Sequence, residues 1–208
     1  MLSVEQAQEQ ILSQVTALPP EQIAIEEAQG RVVAHDLVAP LDLPPFANSS
    51  MDGYAVHGED LALASDATPV TLQLIGEVPA GGVFAGEVSR GAAVRIFTGA
   101  PVPAGADAVI QQELTRPEGD AHAVVMLAHV GIGQNIRSAG SDLRRDTIIV
   151  RRGTMIGAPE VGIIAATGYA TVPVTRRPRV AIVATGDELV PPGQPLGPGQ
   201  IYNSNAFL

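Results

Sequence analysis

The sequence predicts an α+β multidomain chain, and three observations predict it. Apolar residues near the N-terminus recur at spacings of three and four. The next hundred residues break into short β-branched runs separated by Gly, Pro and Asp. Beyond Ile148, a helix framed by Pro and Gly leads into strand-like apolar sequence. A length of 208 residues fits one large domain or two smaller ones, and 46 % apolar residues supply ample core.

Ser3 to Leu18 reads as an amphipathic helix. Ser3 is the cap, Gln6 its capping-box partner, and Val4, Ala7, Ile11, Val15 and Leu18 share one face before Pro19-Pro20 stops it. Gln22 to Ala28 alternates around Ile23 and Ile25 like a short strand, and Val32 to Val38 is a further apolar segment after Gly30. The β-rich part follows, with runs at Thr71–Val78, Ala92–Phe97, Ala108–Glu113 and Ala123–Leu127. Each is bounded by turn signals such as Pro79-Ala80-Gly81-Gly82, Gly99-Ala100-Pro101 and Pro117-Glu118-Gly119-Asp120. Their spacing suits a small barrel or a folded-over sheet rather than βαβ units.

Pro159 opens a helix over Glu160–Thr167 that Gly168 closes, and Thr171–Thr175 is again strand-like. Arg179–Ala184 is a continuous apolar run of the kind buried on both faces of a parallel sheet. It ends at Thr185-Gly186-Asp187-Glu188. A Pro/Gly stretch from Pro191 to Gly199 then leads to Asn203-Ser204-Asn205, N-caps for a helix starting Ala206-Phe207-Leu208. The last thirty residues read as the opening of an α/β domain whose remainder is missing.

Composition removes whole chemistries. There is no Cys, hence no disulfide framework, thiolate metal site or cysteine nucleophile. All 12 basic residues are Arg, so no lysine serves as a Schiff base or phosphate ligand. Aromatics are scarce, at four Phe, three Tyr and no Trp, so burial rests on Ala, Val, Ile and Leu. The net charge of −10 argues against a general nucleic-acid binder. The start MLSVEQAQEQ lacks the basic and apolar regions of a signal peptide, and no apolar stretch is long enough to span a membrane. The expectation is a cytoplasmic protein with no nucleic-acid and no membrane partner. Charge is uneven, however. The first 60 residues hold ten acids against Arg31 alone, whereas Arg137, Arg144, Arg145, Arg151, Arg152, Arg176, Arg177 and Arg179 crowd the later part. A solvated basic face and a site for a small anion both fit that crowding.

Four stretches carry candidate chemistry. In Leu43-Pro-Pro-Phe-Ala-Asn-Ser-Ser-Met-Asp-Gly-Tyr-Ala-Val56, Asp52 is either a functional acid or the first residue of a hairpin Asp-Gly turn. In Arg95-Ile-Phe-Thr-Gly-Ala-Pro101, a strand delivers Thr98 to a loop whose Gly99 admits close approach, or simply ends in a turn. Asn135-Ile136-Arg137 with Gly140-Ser141-Asp142 sets an acid among Arg residues, as a site or as a surface ion pair. Asp187 and Glu188 are adjacent acids past a presumed strand end, suited to a hard cation or to a solvated loop. The four His are scattered without ligand spacing.

In this order, PPFANSSMDGYAV, RIFTGAPVPAGADAVIQQE, GQNIRSAGSDL and ATGDELVPPGQPLGPGQIYNSN resemble the molybdopterin molybdenumtransferase family, MoeA and the matching domain of gephyrin. The resemblance runs the length of the chain and covers about the first half of the family. It implies a β-rich domain inserted into a small α+β domain, followed by the truncated start of a three-layer MogA-like α/β domain. On this sequence, 1–19 is then an N-terminal helix packing with the α/β domain, 20–40 and 147–177 form the small domain, 41–146 is the insert, and 178–208 begins the α/β domain.

The resemblance also implies the last step of molybdenum cofactor synthesis. Molybdate is inserted into adenylylated molybdopterin with release of AMP, dependent on Mg2+, in a homodimer whose site lies between subunits. Contact with the molybdopterin adenylyltransferase is a further expectation. By motif match, Asp52, Thr98, Asp142 and Glu188 become the catalytic positions, Ser50, Gly99, Arg137 and Asp187 the substrate-binding ones, and Glu188 with Asp142 the Mg2+ ligands. The family's later pterin-phosphate loop, Pro-Gly-Asn-Pro segment and barrel have no counterpart here, and GSD stands where GED is common. The alternative expectation is a non-catalytic dimerisation or scaffold fragment of the same family.

Overall fold

The computed structural model describes residues 2–118 and 122–207. Its largest element is a six-stranded mixed sheet, in the order Ala108–Gln111, Gly53–Val56, Ala92–Ile96, Val70–Val78, Ala123–Met126, Thr115–Glu118. Every pairing is antiparallel except that of Val70–Val78 with Ala92–Ile96, which is parallel and shifts register between Leu74 and Gly76. A shift of this kind bends a strand and sharpens its twist. The folded-over sheet expected from the short runs is therefore present. The turn expected at Pro117–Asp120 lies partly outside the described residues.

Alternation along the strands sorts side chains into two cores. Tyr54, Val56, Leu72, Ala93, Ile110 and Met126 bury on one side, together with Leu61 from the short 3-10 turn Gly58–Leu61. Ala55, Val78, Val94, Ile96 and Val109 bury on the other, under Phe84. Period-two burial on both faces identifies a sheet covered twice over.

A third core is built from both flanks of the sheet's sequence. The strand Pro20–Ala24 pairs antiparallel with Thr171–Thr175, and Leu37–Val38 with Ile148–Val150. Ala28, Val33, Leu37, Ile156, Ile164 and Val174 bury between them and the helix Ala158–Ala166. That helix carries Pro159 in its first turn, and Glu160 reaches back to the Gly157 N–H at 2.8 Å. Arg31 is buried here; it is ion-paired with Glu21 and donates to the Thr175 carbonyl at 3.0 Å, tying the two edges of the core together.

Several local expectations shorten or change type. The first helix covers Val4–Leu12, not Ser3–Leu18, although its Ser3/Gln6 capping box forms. It buries none of its residues, so packing does not extend it past Ser13, whose hydroxyl turns back to the Gln10 carbonyl. The expected strand Gln22–Ala28 begins earlier, at Pro20, and gives way to a 3-10 turn at Ile25–Glu27 where Ile25 bonds to Ala170. Of Val32–Val38, Leu37–Val38 forms a strand and Val32 and Val33 make isolated bridges. Arg179–Ala184 is not a buried strand: Val180 is 77 % and Val183 80 % exposed, and no strand among the described residues lies beside it. A strand without a neighbour leaves its backbone groups to water. The next pairing is the short parallel one between Leu189–Val190 and Ile201–Tyr202. The helix expected at Ala206 is a 3-10 turn, Asn205–Phe207, with Asn203 accepting from the Ala206 N–H at 3.2 Å; Leu208 lies outside the described residues. No helix among the described residues is long and apolar enough to cross a membrane.

Candidate functional site

Asp52 is not a hairpin turn. The two residues before its loop, Asn48–Ser49, pair with Ile136–Arg137, whereas Gly53–Val56 enters the large sheet between Ala92–Ile96 and Ala108–Gln111. The chain leaves one sheet and joins another across Ser50-Met51-Asp52, and the acid is presented at the crossing. Ser49 stiffens it: its hydroxyl donates to the Met51 carbonyl at 2.6 Å and accepts from the Met51 N–H at 3.2 Å. Gly53 is required by close approach, because a Cβ there would sit 1.9 Å from the Ile110 carbonyl oxygen.

Thr98 comes to Asp52 from the end of the neighbouring strand. Its backbone N–H donates to Asp52 Oδ1 at 2.8 Å and its hydroxyl donates to the same oxygen at 2.7 Å. Both residues are exposed. These bonds, the hydroxyl's first, hold the Asp52 carboxyl below the usual aspartate range, with a smaller pull from Arg95 outweighing none of the two. Arg95 lies over the Phe97 ring at 5.2 Å, with Nε 3.7 Å from Glu77. Gly99, at φ +83°, turns the chain so that its N–H donates to the Ser49 carbonyl at 2.8 Å, while Ser49 donates to Ala100 at 3.0 Å.

The third stretch joins the same cluster. Asn135, at φ 59°, offers its carbonyl to the Ser50 N–H at 3.0 Å and donates its amide to the Val109 carbonyl at 2.8 Å. Arg137 stands opposite Asn48 in the two-stranded pairing and is ion-paired with Asp142, which also accepts from Ser141 at 3.1 Å. The Asp142 N–H in turn donates to the Leu43 carbonyl at 2.9 Å. Segments from the forties, the nineties and the 130s thus meet, bringing Ser50, Asp52, Thr98, Gly99, Arg137 and Asp142 into one loop cluster.

Asp187 and Glu188 are not joined to it: among the described residues, no hydrogen bond or ion pair links them to these loops. Both are exposed, and they precede Leu189–Val190 instead of following a strand at 179–184. Among the described residues no three His, Asp or Glu side chains converge. Asn135 and Arg95 are the positions whose contributions motif reading missed. The signal for Asn135 was its place in a Gly-x-Gly-Gln-Asn turn, since Asn tolerates left-handed backbone better than most residues.

An exposed carboxylate fixed by a hydroxyl, an arginine held by a second carboxylate, and turns rich in Ser, Thr and Gly make up the loop cluster of this α+β protein. Comparison with known proteins makes this specific. Residues 2–168 match the model of the MoeA N-terminal region, domains I and II. The chain is 40 % identical over its whole length to molybdopterin molybdenumtransferase 2 of Mycobacterium tuberculosis, covering 51 % of that protein. It is 42 % identical over 180 residues to the molybdopterin molybdenumtransferase of Nostoc, covering 86 % of this chain and 41 % of the relative. A crystal structure of the molybdopterin biosynthesis MoeA protein from Pyrococcus horikoshii superposes with a TM-score of 0.88 at 36 % identity, over 100 % of this chain and 55 % of that one. The chain belongs to the MoeA family. It spans about half the length of the curated relatives it matches.

Proposed function

We propose that this chain is the N-terminal part of a molybdopterin molybdenumtransferase that inserts molybdate into adenylylated molybdopterin and releases AMP. The observation that carries the reading is the Asp52–Thr98 pair, in the same loop cluster as Arg137. Molybdate and the phosphate anhydride are both tetrahedral oxyanions, which require N–H and O–H donors on one side and a correctly placed carboxylate on the other. The Ser50 hydroxyl supplies a neutral donor, Thr98 uses its own hydroxyl proton to hold Asp52 in place, and Arg137 supplies charge in a planar fork. Gly99 keeps the loop backbone open to a close ligand. Asp52, held ionised by Thr98, accepts a proton or a hydrogen bond from the pterin side or from water. Asp142 orients Arg137.

Asp187 and Glu188 provide a second group of carboxylates. Their exposed oxygens are the donor type that Mg2+ takes, one or two at a time beside substrate phosphates. We assign the Mg2+ carboxylate to Glu188, with Asp187 beside it, and Asp142 joins that set only by releasing Arg137. These carboxylates would hold a Mg2+ ion whose charge would offset that of the anhydride. A homodimer in which Asp52 of one subunit faces Glu188 of the other accounts for the lack of contact between the two groups within one chain. The division into a small domain over 20–40 and 147–177, a β-rich insert over 41–146 and an α/β start at 178–208 belongs to the same proposal, as does the N-terminal helix lying on the α/β part.

The test is to assay the protein that carries this chain for AMP release from adenylylated molybdopterin, with and without molybdate. Molybdate-dependent release supports the assignment. Absence of release from a folded, complete protein favours the scaffold alternative.

A further inference from the structure

Away from the loop cluster, the surface beside the small core carries a groove that the proposed activity does not use. One lobe, of about 520 Å3, is walled by Leu18, Pro19, Pro20, Val32, His35 and Arg152. A second lobe, of about 430 Å3, continues from the same Leu18 and is walled by Arg176, Arg177, Pro178 and Arg179. The backbone holds the two lobes together, because the Arg176 N–H donates to the Pro19 carbonyl at 3.2 Å and the Thr175 N–H to Val32 at 2.7 Å.

Among the described residues, Arg152, Arg176, Arg177 and Arg179 make no ion pair, whereas Arg31, Arg90, Arg95 and Arg137 all do. Asp36 accepts from the Arg152 backbone N–H at 2.7 Å rather than from its guanidinium, and Glu21, beside Pro20, is taken by Arg31. Four guanidinium groups without an ion pair among the described residues, in a chain of net charge −10, concentrate positive potential at this groove.

We propose that this groove binds an extended acidic segment of a partner protein, with carboxylates on the arginines and alternate apolar side chains on Leu18, Pro20 and Val32. Arginines wall both lobes that meet at Leu18, so a single phosphate seated in one lobe would leave arginine in the other unused. An extended chain presents successive side chains to opposite sides, which matches cationic walls and an apolar floor. The walls contain no Phe, Tyr or Trp on which a base could stack, and the overall charge repels a polyanionic backbone. Arginine is also the charged residue favoured at protein interfaces, where its fork pairs carboxylates in two-point fashion.

The experiment measures fluorescence anisotropy of a labelled short peptide alternating glutamate and valine, titrated with the full chain at near-physiological salt. The peptide is expected to bind, and its glutamine counterpart is not. The double variant Arg152→Gln/Arg177→Gln should weaken binding about tenfold or more, in keeping with the loss of two charge-assisted pairs. Arg144→Gln/Arg145→Gln, the same charge change outside the groove, should leave it within about twofold. Circular dichroism melts should be alike for all forms, since the substituted side chains are exposed. Equal weakening by both pairs would reduce the effect to net charge and overturn the proposal. So would tighter binding of a thymidine oligonucleotide that is lost with Arg152→Gln/Arg177→Gln, or peptide binding seen only when the chain is monomeric and blocked by self-association, which would give the groove to a second copy.

Discussion

Thr98 directs both its backbone N–H and its hydroxyl at a single oxygen, Oδ1 of Asp52, although 46 residues separate the two in sequence. Oδ2 of Asp52 receives no protein donor among the described residues, so the carboxylate is fixed through one oxygen and open at the other. A fixed acid with one free oxygen is suited to contacting a ligand, and the arrangement makes Thr98 a positioning residue.

Thr98→Val removes the hydroxyl bond and leaves the backbone one. The Asp52 carboxyl should then titrate at higher pH than in the wild type, by 13C-detected NMR. Because the folded-state value is lowered, the contribution of these bonds to stability is present at neutral pH, above the unfolded value. It is lost as pH falls through the folded value, at the acid side of the ordinary aspartate range. An unchanged titration in the variant would show that the hydroxyl does not hold the carboxylate.

Gly53→Ala should destabilise the sheet by about 1–3 kcal/mol or more, since the new methyl meets the Ile110 backbone, which cannot withdraw as a side chain can. Urea denaturation measures this. The same substitution should disturb Asp52 next to it, so activity falls further than Thr98→Val alone would cause.

Much of this architecture was legible in local sequence, for identifiable reasons. Thr171–Thr175 appears as read, and Pro159 and Gly168 bracket the helix Ala158–Ala166 because both residues act on their own turn. The Ser3/Gln6 box likewise needs only neighbours. What was not legible is partner choice. Nothing local tells Asn48–Ser49 to pair with Ile136–Arg137 rather than with the strand four residues on, and that choice decides whether Asp52 is a turn or a presented acid. Arg179–Ala184 failed for the opposite reason. Its apolar pattern is that of a buried strand, but a pattern states only what a segment requires, and burial depends on a neighbour. Of the candidate residues, the six around Asp52 come together through these distant pairings, while Asp187 and Glu188 stay apart.

Hydrogen exchange should follow the same division. Amides of Gly53–Val56 and Ala92–Ile96, inside the sheet, are expected to exchange slowly, and those from Arg179 to Gly186 within the fastest class. Protection of 179–186 equal to that of the sheet, in the chain by itself, would require a pairing absent from this structure.

The proposed division of the site between subunits has its own consequence. In the complete protein, a mixed dimer of Asp52→Ala and Glu188→Ala subunits should recover about half the wild-type activity, because one interface carries both lesions and the other neither. Activity no higher than either mutant homodimer, from a purified mixed dimer, would place both acids in one subunit's site.

The most direct measurement is the rate of AMP release by the complete protein carrying Asp52→Ala, compared with wild type under saturating molybdate and adenylylated molybdopterin. Removing a carboxylate that handles a proton or orders a reacting group costs on the order of 10²-fold. A loss of that size is expected, with an unchanged circular dichroism spectrum and melt, since Asp52 is exposed and its side chain supports only Thr98. A rate within a few-fold of wild type would contradict the assignment of this loop cluster as the functional site.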